Sequence, residues 1–202
     1  MKLLVLGATG ATGRIVVDQA LAAGHTVRAL VRSPQKLETR TGLEVVAGQA
    51  TDAGDVTQAM SGVAAVISAL GATGGSVITD ATRAVISGAA TTGVTRFVEL
   101  SSFAVLQERL SGPAKLMSNT VMGAMVKDKA TAEDALRTSD LGYTLVHAVR
   151  LTNGPATGAV KVLPESATLR MGDSISRADV AAWMLATVSD ATFDRRSVVI
   201  AG

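Results

Sequence analysis

Cysteine is absent from the 202 residues, which excludes disulfides, thiolate nucleophiles and cysteine-based zinc sites. Histidine occurs only at His25 and His147, far apart in sequence, so no metal centre is expected. Aromatic residues are almost as scarce: one Trp, one Tyr and three Phe leave little to stack on bases. The formal charge is +2, from 19 basic and 17 acidic residues, and the basic ones are scattered rather than gathered into a stripe. Nucleic-acid binding is therefore not expected. No apolar run is long enough to cross a bilayer, and the first is too short for a signal-peptide core. With neither membrane span nor export signal in view, the expected compartment is the cytoplasm.

What remains is an apolar chain, 48% hydrophobic and only 18% charged, whose core residues are Val, Ala, Leu and Ile. That composition suits a parallel sheet covered by helices on both faces, and the length is most simply one domain. The stretch that organises it comes first. Leu3-Leu4-Val5-Leu6 is a buried-strand run that breaks into Gly7-Ala8-Thr9-Gly10-Ala11-Thr12-Gly13. Gly7 lets the strand turn, Gly10 has no Cβ to stop a phosphate approaching the backbone, and Gly13 lets the new helix pack closely. The amides from Thr9 to Gly13 then face outward at the positive end of a helix dipole, a ready site for a dinucleotide pyrophosphate. A purely structural glycine turn is the alternative. Arg14 adds weight, since a cation in the first helical turn calls for a nearby anion.

The pattern then repeats. Expected strands lie at Thr26–Val31, Leu43–Ala47, Val63–Ile67, Arg96–Leu100, Tyr143–His147 and Ser197–Ile200. Helices are expected from Ile15 to Ala23, from the Asp52 cap to Met60, from Ile78 to Thr92 before Gly93, and in a long segment ending near Thr138. Another is marked by Val180, Trp183, Met184, Thr187 and Val188. Gly71 to Gly75 reads as a loop. Gln107 to Asn119 lacks a clean period and reads as a cover over the site or as a plain surface loop. Short strands are expected near Val160-Lys161-Val162 and Thr168-Leu169-Arg170. Alternating strands and helices imply a Rossmann-type, doubly wound, mostly parallel α/β sheet, with ligands outside the carboxyl ends of its strands.

The glycine loop, Leu30-Val31-Arg32, Leu100-Ser101-Ser102-Phe103, Tyr143-Thr144-Leu145-Val146 and Ser176-Arg177-Ala178-Asp179-Val180-Ala181 follow one another in a fairly specific order. In this the chain resembles the atypical short-chain dehydrogenase/reductase family. The likeness is to its small NAD(P)H-binding branch, which includes NmrA-like regulators and the flavin reductase also called biliverdin reductase B. The resemblance covers nearly the whole length. It implies one NAD(P)-binding domain over residues 1–202, with a small substrate region after about residue 151.

It also implies roles. Gly7, Thr9, Gly10, Ala11, Thr12 and Gly13 would hold the pyrophosphate. Arg32, at the end of the second strand beside the adenosine ribose, would grip a 2′-phosphate, with Lys36 as a second cation; NADP (as NADPH) is the expected cofactor. Gln49 stands where the family often has Asp for the adenine amine, and its amide oxygen still accepts that bond. Leu70 and Gly71 match the segment passing under the cofactor. Ser101 matches the serine beside the nicotinamide. The family's Tyr-x-x-x-Lys falls on Met125 and Lys129, so the usual proton donor is replaced while the Lys that orients the nicotinamide ribose is kept. Lys129 lies on a stripe with Met122, Met125, Ala132 and Leu136, an otherwise apolar face, where a snorkelling side chain is the alternative. Arg150 takes the place of a site-lining His in the flavin reductase and would bind an anionic substrate.

A missing acid removes an element worth about a hundred- to ten-thousand-fold in rate. The expected activity is therefore hydride transfer to a small molecule such as a flavin or quinone, which is left as a delocalised anion. A non-catalytic NADP(H) sensor of NmrA-like type is the rival, and a sugar-nucleotide epimerase a weaker third. Neither a membrane nor a nucleic acid is expected as partner, and the oligomeric state is left open.

Overall fold

In the computed structural model, which describes residues 1–72, 74–120, 122–170 and 172–202, the first half of the chain alternates strictly. It runs β1 (Lys2–Leu6), α1 (Ala11–Ala22), β2 (Thr26–Val31), β3 (Leu43–Ala47), α2 (Ala53–Met60), β4 (Ala65–Ser68), α3 (Val77–Thr92) and β5 (Arg96–Ser102). The second half adds α4 (Gly112–Thr120), α5 (Gly123–Arg137), β6 (Gly142–Ala148), β7 (Arg150–Thr152), β8 (Lys161–Leu163), β9 (Ser174–Ser176), α6 (Arg177–Val188) and β10 (Arg196–Ala201). Eight strands form one sheet in the order β3-β2-β1-β4-β5-β6-β10-β8, parallel throughout except for β8, which runs against β10. The order reverses between β1 and β4, and a crevice opens at such a switch point, outside the carboxyl ends of the strands.

The apolar strands are explained by burial on both faces. Leu3 and Val5 point to the layer of α1 and α6, while Leu4 and Leu6 point to the layer of α2, α3 and α5. Successive strand residues face opposite ways, so a strand covered on both sides has no polar alternation to show. Asp52 accepts the Asp55 amide at 2.9 Å and caps α2, and α3 stops at Gly93 in the left-handed conformation (φ 73°).

Several boundaries differ from the sequence reading. The fourth strand starts at Ala65 rather than Val63. Residues 107–119 are mostly helical rather than irregular: a 3-10 turn at Gln107–Arg109 leads through Leu110 and Ser111 to α4, and Gln107 and Ser118 both hydrogen-bond the Ala104 carbonyl. Leu169 makes only a single bridge to Leu110, whereas β7 and β9, too short to carry a period, pair as a parallel ribbon. Thr73, in the expected loop from Gly71 to Gly75, lies outside the described residues.

Candidate active site

Gly7 takes a φ of +80°, and a Cβ there would lie 2.8 Å from the Ala69 carbonyl, so β1 can turn this tightly beside β4 only with glycine. Gly13 is tighter still: a Cβ would fall 2.0 Å from the Gly7 carbonyl oxygen. The close approach is thus of helix to loop rather than of helix to sheet. Gly10 is different, because its Cβ would meet only that same oxygen at 3.2 Å. As the residue before α1 it offers no side-chain cap, and no acidic residue stands in the first turn. The amides of Ala11, Thr12 and Gly13 have no acceptor among the described residues, which leaves the positive helix end open to an anion.

Arg14 is accounted for within the chain. Its guanidinium donates to the Thr9 carbonyl at 3.1 Å and to the Lys36 carbonyl at 2.8 Å, clamping the glycine loop to the segment after β2. The charge is met by backbone oxygens and does not by itself require a bound anion.

From Gly10, Ala11 and Thr12 a cavity of about 580 Å³ runs past Leu70 and Gly71 to Ser101 and Lys129, and out to Arg150 and Arg177. Met122 and Met125 line it as well. A Cβ on Gly71 would meet nothing within 4 Å, consistent with open space beside it. Three cations and no carboxylate line this cavity among the described residues.

Behind Ser101 and Lys129, outside the cavity lining, a β-strand face packs on a helix face. Glu99 and Ser101, two apart on β5, face the same way, and Lys129 and Glu133, four apart on α5, face them. Register places His147 of β6 directly beside Ser101. Ser101 Oγ donates to Glu133 Oε1 at 2.5 Å, and His147 Nε2 lies 2.9 Å from the same oxygen. Arg137 donates to the other carboxylate oxygen at 2.8 Å. Lys129, 6% exposed, donates to the Leu100 carbonyl at 2.8 Å. One residue earlier on α5, Asp128 accepts the Ile78 and Thr79 amides at 2.9 Å each and so caps α3 from a neighbouring helix. The α5 face read from sequence as otherwise apolar therefore buries Asp128 and Glu133 beside Lys129, and Lys129 does not snorkel to solvent.

Burial sets the charges against one another. It pushes the Glu99 carboxyl up to about 7, against the pull of Lys129 and the Thr82 hydroxyl. It draws the Lys129 ammonium below its ordinary pKa, while the carboxylates of Glu99, Glu133 and Asp128 resist. For Glu133 burial works upward, but hydrogen bonds from His147 and Ser101, with the charge of Arg137, prevail and hold it below the ordinary carboxylate value.

Of the residues singled out in the sequence, Gly10, Ala11, Thr12, Leu70, Gly71, Ser101, Lys129 and Arg150 line the one cavity. Gly7, Thr9 and Gly13 build the turn behind it. Arg32, Lys36 and Gln49 lie outside its lining, exposed after the carboxyl ends of β2 and β3, and the Gln49 backbone N–H donates to the Asp55 carboxylate at 2.8 Å. Sequence reasoning missed Glu133, His147 and Arg177. Glu133 was within reach, four residues after Lys129 on one helix face, whereas His147 becomes visible only through the β5–β6 register.

Comparison with known proteins adds a frame. The profile of the family described as NAD(P)H-binding matches residues 7–191. An uncharacterised chloroplastic protein of Arabidopsis thaliana is 34% identical over 192 residues, covering 87% of this chain and 68% of its own. Among solved structures, the anaerobillin reductase ChuY of Escherichia coli O157:H7 superposes with a TM-score of 0.80 at 25% identity, over 99% of this chain and 96% of that one. A short-chain dehydrogenase/reductase of Veillonella parvula in complex with NADP gives 0.82 at 19% identity, over 100% and 94%. Among the described residues, no helix is long and apolar enough to cross a membrane.

Proposed function

Since the chain belongs to the NAD(P)H-binding family, we propose that it is an NADPH-dependent reductase that passes a hydride to a flavin, quinone or similar conjugated acceptor. One observation carries the reading: a single cavity joins an open helix N-terminus at Gly10 to the buried Ser101 and Lys129. The residues present fit a dinucleotide. Gly10 is a cradle that a larger side chain would fill, and the first-turn amides of α1 are open for a pyrophosphate. When bound, the nicotinamide supplies the hydride. Lys129, anchored to the Leu100 carbonyl, keeps its remaining N–H groups for the ribose hydroxyls or for negative charge developing on the acceptor. Leu70 and Gly71 border the cofactor path.

NADP is favoured over NAD by Arg32, exposed after β2 with no hydrogen-bond or ionic partner among the described residues, and with Lys36 four residues on. Gln49 takes the adenine amine. At the outer end, Arg150 is exposed, and Arg177 donates to Asn153 at 2.7 Å. The two guanidiniums border a small-molecule subsite made with the chain after Leu151 and orient an acceptor that carries negative charge. Met125 provides no proton, so the reduced product takes its own from water, which delocalised anions tolerate and a simple alkoxide does not.

The same Met125 favours a second reading, a protein that holds NADP(H) and signals its redox state to a partner without turnover. Anaerobic NADPH oxidation across a panel of flavins, quinones and aldehydes separates the two. The reductase predicts oxidation with flavins or quinones above the uncatalysed rate and little with aldehydes. NADPH binding without oxidation of any kind would favour the sensor.

A further inference from the structure

Ser101 matches the serine expected beside the nicotinamide, and its surroundings dictate which way its hydroxyl points. A serine hydroxyl has one proton and two acceptor positions, and an ionised carboxylate only accepts. The Glu133 carboxylate, 1% exposed, stands against Ser101 Oγ at 2.5 Å, His147 Nε2 at 2.9 Å and the Arg137 guanidinium at 2.8 Å. All three must donate. His147 is fully buried and its Nδ1 has no partner among the described residues. An orphaned buried N–H is rarer than an orphaned lone pair, so the proton belongs on Nε2, toward Glu133. The single proton of Ser101 is thereby committed away from the cavity that Ser101 lines.

We propose that Glu133, steadied by His147 and Arg137, is a positioning residue that fixes Ser101 as a hydrogen-bond acceptor facing the cavity, and that the group it meets is a planar N–H. Two sources share that chemistry: the carboxamide NH2 of the cofactor and a ring N–H of the acceptor. Lys129 is left as the cavity's donor at that end, because among the described residues only one of its N–H groups is taken, by the Leu100 carbonyl. The inference rests on the reductase reading for its ligands, while its polarity argument uses only the protein.

The test compares ligand pairs that differ in the N–H. In the wild type, NADPH should bind about three- to tenfold more tightly than its acetylpyridine analogue, which keeps a carbonyl but lacks the amide hydrogens. Alternatively, a flavin with a ring N–H should gain the same factor in KM over menadione, which has none. Ser101→Ala should bring the affected ratio to about one. Glu133→Gln should do the same or reverse it. The new amide places its oxygen on Arg137 and its NH2 on Ser101, His147 moves its proton to Nδ1, and the serine hydroxyl then points into the cavity as a donor. A merely structural role would lower stability or all affinities together without moving a ratio. Movement of the cofactor ratio assigns the N–H to the carboxamide, and movement of the substrate ratio assigns it to the acceptor. If neither ratio moves in Ser101→Ala, the proposal fails, whatever becomes of Glu133→Gln. If the ratio moves in Ser101→Ala but not in folded Glu133→Gln, Glu133 does not set the polarity. Ratios that move in a protein that reduces nothing would overturn the reductase reading and leave this one standing; turnover with unmoved ratios does the reverse.

Discussion

The two ends of the cavity are built by opposite means. At the glycine loop, the wall is backbone: amides of Ala11, Thr12 and Gly13 at a helix end, with glycines removing every side chain that would obstruct them. At β5, β6 and α5, the wall is Ser101 and Lys129, backed by a buried polar cluster in which Glu99, Lys129, Glu133 and His147, drawn from three elements, are each at most 6% exposed. The first end depends on space, and the second on mutual compensation between groups that would be costly to bury alone. They should therefore fail differently.

The largest effect is expected at Gly13. Its Cβ, fixed in place by the helix backbone, would fall 2.0 Å from the Gly7 carbonyl oxygen, which is itself backbone and cannot yield, so Gly13→Val should destabilise the fold by more than about 4 kcal/mol in urea unfolding. Gly10→Val sharpens the contrast within the same loop. With only one contact at 3.2 Å to accommodate, the variant should fold, yet calorimetry should find no NADPH binding, because the side chain occupies the phosphate's place. Normal binding would make the loop structural only.

The buried-charge end should respond to pH. Burial raises the Glu99 carboxyl from 4.5 to about 7, so between those values the folded protein holds a proton that the unfolded chain has lost. Stability should accordingly fall as pH rises through that window, by up to roughly 3 kcal/mol, and stay level above it. Glu99→Gln should flatten the profile; an unchanged slope in urea midpoints measured from pH 5 to pH 8 would remove Glu99 as its source. The smallest effect concerns the cofactor's far end. Arg32→Ala should reduce the preference for NADPH over NADH by about 1.5 to 3 kcal/mol in binding, the usual worth of a charged hydrogen bond. Equal affinity of the wild type for the two cofactors would contradict the role.

The same contrast decides what could be read from the sequence. Gly7, Gly10 and Gly13 act over seven residues, so their spacing alone carries their geometry, and the alternation of apolar strands with capped helices carries the doubly wound parallel sheet with it. The strand order, with its switch between β1 and β4, comes from the fold. Ser101 and Lys129, each read from a local motif, line the same cavity. Their partners were not found, because Glu133 reads as one more charge on an amphipathic helix until β5 is laid against it, and His147 until β6 takes its register. Arg14 shows the same limit: its bonds to the Thr9 and Lys36 carbonyls join segments that only the fold brings together. Short strands such as β7 and β9, three residues each, are set by pairing and leave no period to read.

The central claim is that both ends of the cavity act on one bound dinucleotide, phosphates at Gly10 and the reacting ring near Ser101 and Lys129. Single-turnover mixing of the NADPH-loaded protein with a flavin, without oxygen, tests it most directly when run with NADPH and with NADPH deuterated at the transferable position. The account predicts loss of the nicotinamide absorbance above the uncatalysed rate, slowed by the deuterium and slowed further in Lys129→Ala. Absorbance that persists with cofactor demonstrably bound, across flavins and quinones alike, would contradict it.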